Sequence, residues 1–447
     1  MRSVARGLTG LLAAALCVGS GGASVAAAAP PRVSLAYFEA SDVYDRGYYP
    51  RDIPAANYTH INYAFGRPTS TGRCAINDPV ADYTQRISAA NSVNGRRDGA
   101  NQKLRGNFNQ LRLLKAAHPG LKVLVSIGGW TLSRYFSDIA ATSDGRTAFV
   151  RSCIALFLKG NLPVQNGAGG TGVGRAVFDG IDIDWEFPVT GGLPDNHYRP
   201  ADRHNATLLF REFRRQLNAY GETRNKRYLL TAALPAGNVA NSRYELASVG
   251  QTLDWINLMT YDMHGPWDAT TDFGSPFERD TADPAGSAAF TVKGSVAHFR
   301  NNGVPADKLV VGVPFYAYQY SGVAHQDDGL YQPFDNAALD GNGNWTTRLN
   351  PTYHDLVDVG HVVTSPTSGT PVGQNGFQRI FGTTVFEPWL WDPNLHGGTF
   401  ITYEDRQSIA KRVAFVRAQG LRGLMVWEVS QDDDGRHLST AVGAVLP

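Results

Sequence analysis

The chain has 447 residues, with 41 Lys and Arg against 40 Asp and Glu, so no basic field is available to hold nucleic acid or an anionic membrane. Three cysteines exclude a disulfide scaffold and a thiolate zinc site, and stability must come from a large apolar core. Arg2 and Arg6, the short apolar run 8–18 and the small residues of "ASVAAAAP" predict a secretory signal peptide over residues 1–28, cleaved after Ala28. Cys17 lacks the preceding small residue that a lipid-anchored leader would want. A secreted, extracellular chain of residues 29–447 is therefore expected, with no membrane attachment after cleavage. Its remaining cysteines, Cys74 and Cys153, are free to pair or not.

In chain order, eight short β-branched or apolar runs predict strands: "VSLAYF" at 33–38, "THINYAF" at 59–65, "KVLVSIGG" at 122–129, "GIDIDWE" at 180–186, "YLLTAAL" at 228–234, "WINLMTYD" at 255–262, "LVVGVPFY" at 309–316 and "LRGLMVWE" at 421–428. Amphipathic stretches at 108–118, 146–160, 205–221 and 406–420 predict helices between them. Repeated β-then-α units predict an α/β fold, a closed (β/α)8 TIM barrel. Residues 315–400, rich in Gly and aromatics, are too long for an unstructured loop and predict a small α+β insertion domain between strands 7 and 8. The Gly-rich run 162–177 reads as a mobile surface loop.

The fourth strand is unusual. In "VFDGIDIDWEFP" at 177–188, Ile181, Ile183, Trp185 and Phe187 take one parity and Asp182, Asp184 and Glu186 the other. Alternation of this kind ordinarily marks a half-exposed strand with its charges in water. Here no Lys or Arg lies within the run. Carboxylates two residues apart on one face are roughly 7 Å apart and repel by about 2.4 kcal/mol at an effective dielectric of about 20. One acid of the row should hold its proton near neutral pH, as a general acid must. The other unusual residues also fall at strand C-terminal ends, where a barrel places its chemistry: Gly128, Gly129 and Trp130, then Tyr261 and Asp262, then Trp427.

"SIGGW" at 126–130, "DGIDIDWE" at 179–186, "MTYD" at 259–262 and "VWE" at 426–428 resemble, in order and position, the successive motifs of the chitinases of glycoside hydrolase family 18. The insertion is similar to that of the bacterial deep-cleft subgroup. The resemblance implies a secreted chitinase that cuts β-1,4 bonds between N-acetylglucosamine units with retention, by substrate-assisted catalysis through an oxazolinium ion. It assigns Glu186 as the acid/base, Asp184 as the group that orients the N-acetyl function, Asp182 as its partner, and Tyr261 as a donor to the N-acetyl carbonyl. Trp427, Met259, Asp262, Trp130, Tyr37 and Trp267 would bind substrate. Asp179, Ser126, Gly128 and Gly129 would be structural. Trp389 and Trp391 are further stacking candidates. The chain departs from the family at "FYAYQY", where the subgroup continues "FYGRGW", so Tyr318 stands for an Arg.

No cofactor and no metal are expected, and chitin and its oligosaccharides are the expected partners of a monomer. With no appended binding module expected, attachment to polymer would rest on the cleft. Other readings remain open on the sequence: a divalent cation on the acidic row, a chitin-binding lectin, and an endo-acting glycosidase on N-linked glycans. A lectin would lack the acid that Glu186 supplies. The glycan-directed relatives generally lack Trp185 and the large insertion.

Overall fold

Each of the eight apolar runs forms a parallel strand, because their β-branched and aromatic side chains are buried on both faces of a closed sheet. The strands are β1 Val33–Glu39, β2 His60–Pro68, β3 Lys122–Gly128, β4 Gly180–Asp184, β5 Leu229–Pro235, β6 Trp255–Met259, β7 Leu309–Pro314 and β8 Gly423–Trp427. Neighbours in sequence pair in parallel, and β1 pairs with both β2 and β8, so the sheet closes. The computed structural model describes residues 1, 30–284, 286–341 and 344–447. Residues 2–28 of the expected leader, with its cleavage point, lie outside the described residues.

Strand parity divides the core into layers. Ile181, Ile183, Val123, Val125 and Val311 pack outward against the helices, whereas Val33, Leu35, Tyr37, Trp255 and Met425 fill the inside. Helices Gly106–Ala117, Ser143–Cys153, Asp202–Glu222 and Arg406–Ala418 occupy the four predicted stretches. The second of these continues as a π-helical turn, Ile154–Leu158. Among the described residues no helix is long and apolar enough to cross a membrane.

Three features differ from the sequence reading or complete it. The Gly-rich run is ordered in part as a hairpin, with Leu162–Gln165 antiparallel to Ala168–Gly170, and Gly169 N–H donating to Lys103 O at 2.8 Å. Cys74, on a short strand beside β2, forms a disulfide with Cys153. A link across 79 residues restricts the unfolded chain by about 4.5 kcal/mol in the loop-entropy picture. In the insertion, the strands form an antiparallel sheet in the order Tyr318–Tyr320, Thr399–Thr402, Pro388–Asp392, Gln378–Phe381, accompanied by short turns of helix such as Asp355–Val359. Its last strand runs two residues past position 400.

The insertion is fastened by buried charge. Arg379 on its edge strand donates to Asp405 at 2.6 and 2.9 Å, and Asp405 also caps helix Arg406–Ala418. Behind this pair, fully buried Arg412 binds Glu404 and the backbone oxygen of Ser275. Glu387, directly before strand Pro388–Asp392, accepts from Thr402 at 2.6 Å and from Ser275 N–H at 3.1 Å. Removing the cation would leave buried Glu404 without its ion-pair partner and Glu387 without the nearby positive charge that opposes burial. Arg412→Ala is expected to cost about 3–5 kcal/mol in denaturant unfolding; an unchanged midpoint would show that these acids do not need it.

Candidate active site

The register of the central strands builds the site. Ser126, Asp182 and Thr231 sit side by side on β3, β4 and β5, all pointing into the barrel. Asp182 is fully buried and accepts four hydrogen bonds: from Tyr37 Oη at 2.9 Å, Ser126 Oγ at 2.7 Å, Thr231 Oγ1 at 2.5 Å and Asn257 Nδ2 at 3.1 Å. Burial raises its carboxyl above the usual value, while the donors pull it back.

Asp184, one step up the same face, is also buried, and its Oδ1 has no hydrogen-bond partner among the described residues. Burial first, then the charges of Glu186 and Asp182, push its carboxyl well up. Both effects disfavour its charged form.

Glu186 lies two residues past the end of β4, at the opening of the barrel. Its backbone is clamped from both sides: its N–H donates to Ser133 Oγ at 2.9 Å and its carbonyl accepts from Asn196 Nδ2 at 2.8 Å. The preceding Trp185 is stacked on Phe136 at 5.4 Å, and its carbonyl accepts from Tyr244 Oη at 3.0 Å. Burial and the charge of Asp262 push the Glu186 carboxyl up to about 8, against the opposing effect of Arg243.

Tyr261 and Asp262 follow β6. The buried Tyr261 hydroxyl lies 3.9 Å from Met425 Sδ, and burial with the surrounding acids drives its ionisation far upward, so it remains a donor. Asp262 adopts φ +55° and accepts from the hydroxyls of Tyr316 and, at 2.5 Å, Tyr318. Two adjoining cavities of about 730 and 360 Å³ run past these groups, sharing Trp130, Glu186, Met259, Tyr261, Asp262 and Tyr318. Trp130 and Trp267 are 49% and 61% exposed and form walls. Trp427, stacked on Phe65 at 5.7 Å, lines the smaller cavity.

Several expected residues have other places. Tyr37 touches the smaller cavity, but it is buried and its hydroxyl is spent on Asp182, so it supports the acid instead of gripping a ligand. Trp389 and Trp391 are buried in the insertion's aromatic core and are not stacking surfaces of the cleft. Asp179 has the opposite parity to the row and is met by Lys115 at 2.5 Å and Lys226 at 2.7 Å. Burial raises its carboxyl, but the two lysines outweigh that and hold it below the usual range. Gly128, at φ +113°, allows the end of β3 to close on β4: a Cβ there would fall 2.0 Å from Asp184 O. At Gly129 a Cβ would meet the Phe65 ring at 2.7 Å.

Sequence reasoning missed Thr231, Asn257, Ser133, Asn196 and Tyr316. The first two carried a signal, a lone polar residue inside an apolar strand. The others sit on loops without one. The peptide bonds Glu186–Phe187 and Trp427–Glu428 are cis, and neither precedes a proline.

Comparison with known proteins places this geometry. The family model described as glycosyl hydrolases family 18 matches residues 33–432. Chitinase A1 of Niallia circulans is 34% identical over 92% of the chain, and chitinase C of Streptomyces lividans 33% over 90%. The chain spans 58% and 57% of the lengths of these two curated relatives. Among solved structures, the catalytic domain of psychrophilic chitinase B from Arthrobacter TAD20 superposes with a TM-score of 0.81 at 31% identity, covering 92% of this chain and 94% of that one.

The raised Glu186 carboxyl makes a thermodynamic prediction. Folded, it keeps its proton to about pH 8, against about 4.5 in its ordinary state. Its support of the fold is complete below the lower value and is lost as pH rises through the upper one. Glu186→Gln abolishes that loss, so the variant should gain about 1–3 kcal/mol over wild type between those limits, then level off. Urea unfolding at several pH values measures it, and a pH-independent difference would contradict the raised carboxyl.

Proposed function

The chain belongs to family 18 of the glycosyl hydrolases and is a glycoside hydrolase, and from that premise we propose that it cleaves the β-1,4 bonds of chitin with retention of configuration, Glu186 acting as acid and base. The observation that carries this reading is the gradient along one strand face. Asp182 is saturated with donors, Asp184 is buried with a free oxygen, and Glu186 reaches the cleft with its proton held.

The reaction follows from that order. With the scissile bond beside Glu186, the carboxylic acid protonates the leaving oxygen while the sugar's own N-acetyl oxygen attacks the anomeric carbon. No second carboxylate nucleophile is required in substrate-assisted hydrolysis. Positive charge develops on the cyclising N-acetyl group, and Asp184 Oδ1 is an unoccupied acceptor for its N–H as Tyr261 donates to its oxygen. As Glu186 gives its proton to the leaving oxygen, Asp184 passes its own proton to Asp182 and becomes the counter-ion of the oxazolinium. Its charge then favours return of a proton to Glu186, which takes it from the water that opens the ring. Trp427 supplies the floor beneath the reacting sugar, and Trp130 and Trp267 are flat, exposed faces for neighbouring units.

Chitin and its oligosaccharides as substrates are in keeping with the names of the relatives above. An extracellular site of action is supported by the Cys74–Cys153 disulfide, a bond that persists in oxidising compartments. The monomeric state expected from the sequence is part of the same proposal.

Proton NMR of the sugar released in the first minutes from a short chitin oligosaccharide tests the mechanism. Wild type should give β-anomer, and Glu186→Gln should be slower by about 10²–10⁴-fold with binding retained; initial α-anomer would overturn the substrate-assisted route. The rate should also fall as pH rises through about 8, where Glu186 loses its proton. A descending limb that stays in place in a variant lacking the Asp262 charge, Asp262→Asn, would assign that limb to another group.

A further inference from the structure

Among the described residues a single Lys or Arg lines the two cavities of the cleft, Arg243, the last residue of a short helix after β5. Its guanidinium carbon stands 4.3 Å from the centre of the Phe187 ring, and Phe187 in turn meets Trp130 edge to face at 6.4 Å. The loop after Glu186 closes on it, so that a Cβ on Gly191 would fall 3.1 Å from Nη2. Among the described residues no carboxylate pairs with Arg243 and no group accepts a hydrogen bond from it. Burial weighs against its charge, and Tyr244 and Glu186 answer this only in part. A guanidinium carries five N–H donors, and one held part-buried over a ring without an acceptor is free to take its acceptors from a ligand.

Arg243 belongs to one side of the scissile bond. Asp184 and Trp427, which would hold the reacting sugar, line only the smaller cavity, whereas Arg243, Phe187 and Trp267 line only the larger one. Glu186 lines both, so the bond it protonates sits at their junction and the departing sugar enters the larger cavity. The opposing charge, Asp262, is shared by both cavities and engaged by two tyrosine hydroxyls. A third cavity, of about 640 Å³, adjoins the smaller one through Glu39 and Gln431 and shares no residue with the larger. Its arginines, Arg46 and Arg348, are paired with Asp434 at 3.8 Å and Asp355 at 2.8 Å, and Glu39, Asp42 and Asp45 also line it. Among the described residues an unpaired cation is thus confined to the departing side.

We propose that Arg243 makes the departing side of the cleft selective for N-acetylated sugar units over deacetylated ones, a role that rests on the chitin-cleaving activity proposed above. Loss of the acetyl group leaves a primary amine, which is an ammonium at acidic pH. An N-acetylated unit brings a neutral amide whose carbonyl oxygen accepts from the guanidinium. An ammonium brings only donors and a like charge. Unit charges about 6 Å apart, at an effective dielectric between about 20 and 80, change an equilibrium by about 3- to 100-fold, so a preference of about 10-fold is expected.

Digestion of half-deacetylated chitin oligosaccharides at about pH 5.5, with reducing-end labelling and mass-spectrometric sequencing of the early products, reads the units on either side of each cut. In wild type the new non-reducing ends, which come from the departing side, should be N-acetylated about 10-fold more often than deacetylated. The unit beyond the reacting sugar on the far side should show no such bias. Arg243→Gln should bring the ratio close to about 1, and Arg243→Lys should keep most of it. In wild type the ratio should also fall at about pH 8, where the amine loses its charge. Each ratio is internal to one digest, so a slower enzyme does not alter it. No bias in wild type, a bias that does not change with pH, or one that Arg243→Gln leaves intact while the rate drops would overturn the assignment and leave Arg243 as a support for the Phe187 ring. A fully N-acetylated oligosaccharide is digested alongside, and failure of wild type to cleave it would instead overturn the activity on which the selectivity rests.

Discussion

The structure depends on the satisfaction of one buried carboxylate. Asp182 lies at the centre of the barrel, where an unpaired charge would cost several kcal/mol. Its donors come from β1, β3, β5 and β6, so with its own strand five of the eight strands meet at one side chain. Tyr37 on β1 and Asn257 on β6 can reach it only if the sheet curls. An open sheet could offer Ser126 and Thr231, the two register neighbours, but not the other pair. Closure of the fold and solvation of Asp182 are therefore one event, and polar residues in otherwise apolar strands are its requirement.

That arrangement fixes what the rest of the row can do. The donors gather at Asp182, among the described residues none pairs with Asp184 Oδ1, and its acidity is set by burial and by its two acidic neighbours. Glu186 then stands where the strand has ended, with its backbone held by Ser133 and Asn196 while its side chain is left to the cleft. Rigid backbone and unengaged carboxyl are the combination that a proton donor needs, since the proton must be delivered from a fixed point and must not be shared beforehand.

The barrel, its strands and the acidic face were legible because a period of two over a few residues is a strong local signal, and Asp182, Asp184 and Glu186 share it. The donors were less legible, although Thr231 and Asn257 are polar residues in strands whose neighbours are apolar. Their meaning depends on which strands lie adjacent, and that is a property of closure. Aromatic residues misled for a related reason. Trp389 and Trp267 look alike in sequence, yet one fills the insertion's core and the other faces solvent. The Gly-rich run at 162–177 suggested mobility because glycine is permissive, whereas part of it forms a hairpin in which backbones approach closely.

Tyr318 shows how a departure in sequence can be absorbed by the site. Where the resembling family carries an Arg, this chain presents a phenol that, with Tyr316, donates to Asp262. A guanidinium there would pair with the carboxylate and cancel much of its field. Burial raises the Asp262 carboxyl above its usual value, and the two neutral hydroxyls pull it part of the way back towards the charged form without cancelling that charge. The Asp262 charge thus continues to act on Glu186, for which it is the main influence after burial, and Arg243 is left to oppose it. The proton on Glu186 is held first by burial and then by the Asp262 charge, so the phenols act on Glu186 through Asp262 and not by contact.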